Sequence, residues 1–127
     1  MSAMSLKRIT LTALALLAAT EPSWARSAQS SFDGRWSVVI ITDAGTCDRS
    51  YRYGLNVSHG RFQYEGGSGV TVSGGVDPRG RVSVSLRYGG AAAQGSGRLS
   101  RSDGAGHWQG ASSGARCSGR WLAERRG

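Results

Sequence analysis

The chain has 127 residues, enough for one domain, and carries 16 Lys and Arg against 8 Asp and Glu. Its two cysteines and two histidines stand at no ligand-like spacing, which excludes a cysteine–histidine zinc set. The positive excess bears on solubility and nonspecific attraction, so the fold has to be read from pattern instead.

In chain order, residues 1–25 read as a secretory signal. Lys7-Arg8 is a short positive region, and Ile9 to Ala19 is an apolar run of signal-core length. Thr20-Glu21-Pro22 breaks the run, and Ser23-Trp24-Ala25 fits a small-x-small cleavage site. The run is well short of the ~20 residues that span a bilayer as a helix. Cleavage starts the mature chain near Arg26, with fourteen arginines, no lysine and seven carboxylates. This predicts a periplasmic or secreted protein with no membrane span after signal removal. Residues 26–31 form a short polar lead without pattern, read as flexible.

From Phe32 the apolar residues alternate with a period of two, which is strand periodicity. Val82, Val84, Leu86 and Tyr88 alternate with Arg81, Ser83, Ser85 and Arg87. Tyr51, Tyr53, Leu55 and Val57 repeat the pattern, as do Phe62 with Tyr64 and Val70 with Val72. Turn signals recur every eight to twelve residues, and Asp77-Pro78-Arg79-Gly80 suits a type I turn. Eight strands follow, near 35–42, 50–58, 61–66, 70–76, 80–88, 91–100, 105–111 and 115–124. Together they define an all-β domain over 32–124, ahead of a basic C-terminus at 125–127.

Short connections between eight strands predict an antiparallel up-and-down meander, and closure into a barrel removes its two edges. Cys47 lies just past the first strand and Cys117 near the start of the eighth. In an oxidising compartment the two form one disulfide, which joins the outer strands at one rim. A two-sheet β-sandwich is the alternative. Asp43 and Asp48 flank Cys47 and can reach Arg116 or Arg120 across that rim. Glycine and alanine crowd the last three strands, as tight curvature or close backbone approach requires. Trp36, Trp108 and Trp121 then fill the space beside the glycines, and the aromatic count favours a filled core over a cavity.

Chemistry-bearing patterns are sparse. Gly66-Gly67-Ser68-Gly69 has neither nucleotide-binding spacing nor a helix after it. His59 sits in a turn and His107 points outward beside Trp108, with no nucleophile assigned to either. Most acids stand in turns, and none are spaced for paired acid–base work. The reading is therefore a non-enzymatic binding or structural module without cofactor or metal. Its candidate polyanion contacts are Arg81, Arg87, Arg98, Arg101, Arg120, Arg125 and Arg126. The arginines spread over almost every strand, which argues against a nucleic-acid groove. An envelope protein, an acidic glycan or a lipid headgroup is the expected partner of what reads as a monomer.

Gly34-Arg35-Trp36, opening the first strand, resembles the GxW signature of lipocalin- and avidin-type barrels. That resemblance implies a late arginine packed over Trp36, with Arg120, Arg125 and Arg126 as candidates. The single disulfide and the N-terminal lead are similar to those of periplasmic inhibitors of metalloproteases, implying an inhibitor of a secreted or periplasmic hydrolase (protease or lysozyme) as the alternative function. The DGRW opening, the stretch from Cys47 to Tyr53 and the CSGRW-x-AER ending resemble small exported bacterial β-barrel proteins of unassigned function. That likeness covers most of the mature chain and imports no activity; the reading remains a binding or structural module of the bacterial cell envelope.

Overall fold

A chain whose apolar residues alternate for ninety positions can bury them together by curling its sheet around them. A computed structural model of the protein describes residues 31–127. The signal at 1–25 and residues 26–30 of the lead lie outside the described residues. Eight strands follow: β1 (Gly34–Ala44), β2 (Ser50–Ser58), β3 (Arg61–Tyr64), β4 (Val70–Val76), β5 (Arg81–Tyr88), β6 (Ala91–Leu99), β7 (Asp103–Ser112) and β8 (Ala115–Arg125). Each pairs antiparallel with its chain neighbours, and β1 pairs with β8, so the sheet is one closed barrel. Closure into a single sheet replaces the sandwich alternative.

The alternation carries through to burial. Along β5, Val82 is buried and Val84 and Leu86 are half-buried, while Arg81, Ser83, Ser85 and Arg87 are exposed. Tight turns keep the register. His59 (φ 53°) and Gly60 (φ 79°) link β2 to β3, and Ser113 (φ 49°) and Gly114 (φ 84°) link β7 to β8. Positive φ at both central residues gives the primed turn whose twist suits a hairpin. In the β4–β5 turn, Asp77 Oδ1 accepts the Arg79 and Arg81 amides at 2.9 Å, and the Gly80 amide donates to Asp77 O. That is the expected aspartate-led turn.

The two ends of the barrel differ. At the end where β1 starts, Phe32, Trp36, Val57, Phe62, Val76, Val82, Leu99, Trp121 and Ala123 pack into the core. Arg125 closes that end. Its guanidinium stands 5.2 Å from the Trp36 ring centroid and donates to the carbonyls of Ser31, Arg101 and Asp33. Of the three arginines that the GxW resemblance offered, Arg125 is therefore the one over Trp36. The Asp33 carboxylate accepts the amides of His59 and Gly60, tying the β2–β3 turn to the start of the barrel.

The last residues continue the sheet. Arg125 belongs to β8, the Arg126 amide donates to Arg35 O at 2.7 Å, and the Arg35 amide donates to Gly127 O at 2.9 Å. Residues 125–127 thus extend the β1–β8 seam, because the backbone of β1 around Arg35 still has ladder groups to satisfy. Both Gly-Arg-Trp tripeptides lie on this seam, with Trp121 opposite Ile40 and Trp36 opposite Arg125.

At the opposite end, Cys47 and Cys117 form the disulfide, with an S–S distance of 2.07 Å and a Cα–Cα distance of 6.1 Å. One strand is shorter than expected. β3 stops at Tyr64 rather than 66, and pairs with β4 only at Arg61–Gly75. Past Tyr64 the chain turns so that the Tyr64 ring lies against Gly66, where any side chain would collide with its hydroxyl.

Candidate functional site: an open lumen with a tyrosine mouth

The three core tryptophans decide how much of the barrel is filled. Each indole N–H donates to a backbone carbonyl: Trp36 to Phe32 (2.9 Å), Trp108 to Ile41 (2.9 Å) and Trp121 to Ser96 (3.0 Å). These bonds hold the rings to the wall. Trp121 lies so close over the β6–β7 backbone that a Cβ on Gly106 would stand 2.5 Å from its ring, and one on Gly97 2.6 Å. The glycines therefore let large rings lie against the wall, as a narrow barrel needs.

The consequence overturns the filled-core expectation. Beside these rings the lumen is open, with a cavity of about 550 Å³ that runs from Trp36, Val57, Phe62 and Leu99 to the disulfide end. Ligand pockets typically span about 300–1,000 Å³, so the volume suits a small molecule. The physical reason is the residue size on one wall. The inward positions of β6 to β8 near the mouth are Ala91, Ala93, Gly95, Gly110, Ser112 and Ala115, too small to meet Leu55, Val72, Val84 and Leu86 across the barrel.

The mouth is aromatic. Tyr51, Tyr53, Tyr64 and Tyr88 all line the cavity. The Tyr51 and Tyr53 rings stack at 6.0 Å between centroids, and Tyr64 meets Tyr53 edge-on at 5.9 Å. Tyr88 is 62 % exposed and Tyr51 39 %, so the rim stands partly in water. Burial pushes the Tyr53 hydroxyl above its ordinary value of 10, and the neighbouring Tyr51, Tyr64 and Tyr88 add to that. Thr46 and Asp48, on either side of Cys47, complete the mouth. Sequence alternation turned these tyrosines inward, but it did not mark them as a rim. The signal for the opening was the run of Ala, Gly and Ser at the facing inward positions.

The candidate polyanion contacts are dispersed rather than gathered. Arg120 holds Asp43 through two hydrogen bonds of 2.8 and 2.9 Å, the rim pair expected beside Cys47. This contact lowers the Asp43 carboxyl below its ordinary 3.8 and raises Arg120. Arg81 is paired with Asp77 and Arg126 with Glu124, while Arg125 serves the closed end. Arg87 lies at the open end of β5, Arg98 near the closed end of β6, and Arg101 in the β6–β7 connection. None of those three makes an ion pair among the described residues.

Neither histidine lines the cavity: His59 is in the β2–β3 turn, and His107 stands on β7 opposite Arg120. Among the described residues, no group of three or more His, Cys, Asp or Glu side chains is placed to hold a metal ion. No family model, curated protein or solved structure matches this chain.

Proposed function

We propose that the protein is an exported binding module whose barrel lumen holds one small, largely apolar molecule. The observation that carries this reading is the 550 Å³ cavity, walled by Val, Leu, Ala and Trp side chains and open at the tyrosine rim. An apolar site with a few polar groups at its mouth is the usual form of a ligand pocket. Burial of apolar ligand surface is worth about 25 cal/mol per Å², so a lumen of this lining binds without any charged contact inside. Export is supported by the signal-like residues 1–25 and by a disulfide, which persists in oxidising compartments. The dispersed arginines support only nonspecific attraction to an acidic envelope surface, the role expected of a basic exterior.

A neutral fluorophore such as N-phenyl-1-naphthylamine tests the reading. The expected result is one molecule bound per chain, with blue-shifted emission and quenching of tryptophan fluorescence. Ala93→Trp, which fills the lumen from its small-residue wall, abolishes binding while the exterior Ser96→Ala leaves it intact. Unchanged binding to a folded Ala93→Trp protein would refute lumen occupancy.

A further inference from the structure

We propose that the lumen takes a cationic amphiphile, with its apolar body inside the barrel and an ammonium head held among Tyr51, Tyr53, Tyr64 and Asp48 at the mouth. The inference rests on the lumen-binding reading and adds the ligand's polarity and charge. Three observations carry it. First, the indole N–H groups of Trp36, Trp108 and Trp121 are all occupied by backbone carbonyls. The lower lumen thus has no indole donor to offer, and a ligand's inner end is hydrocarbon or ring. Its polar group belongs at the mouth, where the tyrosine hydroxyls, Thr46 and Asp48 stand.

Second, the sign of the charge at the mouth runs against the chain as a whole. The sequence carries 16 Lys and Arg, yet among the described residues none lines the cavity, where Asp48 is the one charged residue. The nearby strand arginines are turned away by alternation, and Arg49, exposed in the β1–β2 connection, does not line the cavity. Arg87 stands at an outward position between Leu86 and Tyr88, and Arg116 between Ala115 and Cys117. Asp48 itself makes no ion pair among the described residues. Its backbone is nonetheless fixed: the Thr42 hydroxyl donates to Asp48 O at 2.6 Å, and the Cys47 amide donates to Cys117 Sγ at 3.1 Å.

Third, stacked and edge-on tyrosine rings at a mouth that Asp48 also lines are surroundings an ammonium prefers. The ring faces are electron-rich and attract a cation within about 6 Å of the centroid, with no hydrogen bond required. A quaternary head gains from the rings and the carboxylate together, while a carboxylate head placed there meets the like charge of Asp48.

Three probes of equal chain length make the test: decyltrimethylammonium, decanol and decanoate, each displacing the naphthylamine fluorophore below its micelle concentration. The expected order is ammonium, then alcohol, then carboxylate, with about tenfold between the first and last. Asp48→Asn weakens the ammonium about threefold and leaves decanol unchanged. Tyr53→Leu weakens the ammonium about threefold, and Tyr53→Phe, which keeps the ring, restores it. Unchanged thermal melting of each variant shows that the fold is intact. Decanoate or decanol binding as tightly as the ammonium overturns the head assignment while leaving the lumen reading standing. Failure of all three to displace the fluorophore overturns both.

Discussion

The two ends of this barrel are built from the same eight strands and spend their aromatic residues in opposite ways. At the closed end, Phe32, Trp36, Phe62 and Trp121 are each less than one-tenth exposed, and Arg125 seals them by hydrogen bonds to three carbonyls. At the open end, four tyrosines form a partly wet rim, and the disulfide ties the strands where the core is thin. The difference follows from the residues facing the aromatics. Below, the rings pack with Val57, Val76, Val82 and Leu99; above, the tyrosines share the mouth with a wall of alanine, glycine and serine. Close packing and the wide mouth are thereby set at opposite ends of the barrel axis. A narrow barrel can keep an open lumen because the other end carries its packing.

The comparison breaks first where the largest effects are expected. Trp36→Ala removes the ring at the centre of the closed end and should destabilise the protein by about 3–5 kcal/mol, read from urea unfolding. A loss below about 1 kcal/mol would mean that the closed end is not where the packing energy lies. Cys47→Ser with Cys117→Ser removes a staple across 70 residues of chain, which the loop-entropy description values at about 4 kcal/mol. Unlike the tryptophan change, it also frees the loop that carries Asp48, so affinity at the mouth falls along with stability.

Arg125→Leu comes next, at about 2 kcal/mol, because charged donors to three carbonyls and a ring contact are lost together. Arg125→Lys is expected to recover little of it, since an ammonium cannot reproduce the planar fork. Calorimetric unfolding of both variants checks this. Full rescue by lysine would show that charge alone holds the closed end.

Much of this architecture is legible in the sequence. Period-two alternation placed the strands because each inward residue has a buried consequence, and the cysteine positions placed the seam because a disulfide demands proximity. The Asp77 turn was readable for a similar reason, as aspartate, proline and glycine each satisfy a separate local requirement. The lumen was not legible. Whether Trp108 and Trp121 cross the barrel or lie on its wall depends on which carbonyl each indole meets, and Ile41 and Ser96 are distant in sequence from their partners. Counting aromatics alone therefore suggested a filled core. The choice among Arg120, Arg125 and Arg126 for the place over Trp36 was not legible for a related reason. Composition marks Arg125 as basic and exposed, whereas its place is set by carbonyls at Ser31, Asp33 and Arg101.

A smaller effect separates the rim from the core. Tyr88→Ser should change stability by no more than about 0.5 kcal/mol, since the ring is 62 % exposed. A stability loss comparable to that of Trp36→Ala would erase the distinction between the ends.

The smallest expected effect is a pH dependence located on the seam near the open end. Asp43 accepts two hydrogen bonds from Arg120, and that contact holds its carboxyl below the ordinary 3.8. Because the folded value is the lower one, the unfolded chain binds this proton first as pH falls. The contribution is therefore fully present above about pH 5 and is lost on descending through the depressed folded value. Asp77 behaves with the same sign, chiefly through the Arg81 amide, but it holds only its own turn. Asp43 joins strands 77 residues apart, so its protonation loosens the β1–β8 seam beside the disulfide. Stability measured from pH 5 to pH 2 should fall less steeply in Asp43→Asn than in the parent chain. Both partners are exposed, so the difference shrinks when salt shortens the Debye length to about 3 Å at 1 M. An acid limb of unchanged slope in Asp43→Asn would place the titrating contact elsewhere and leave the disulfide as the staple of that rim.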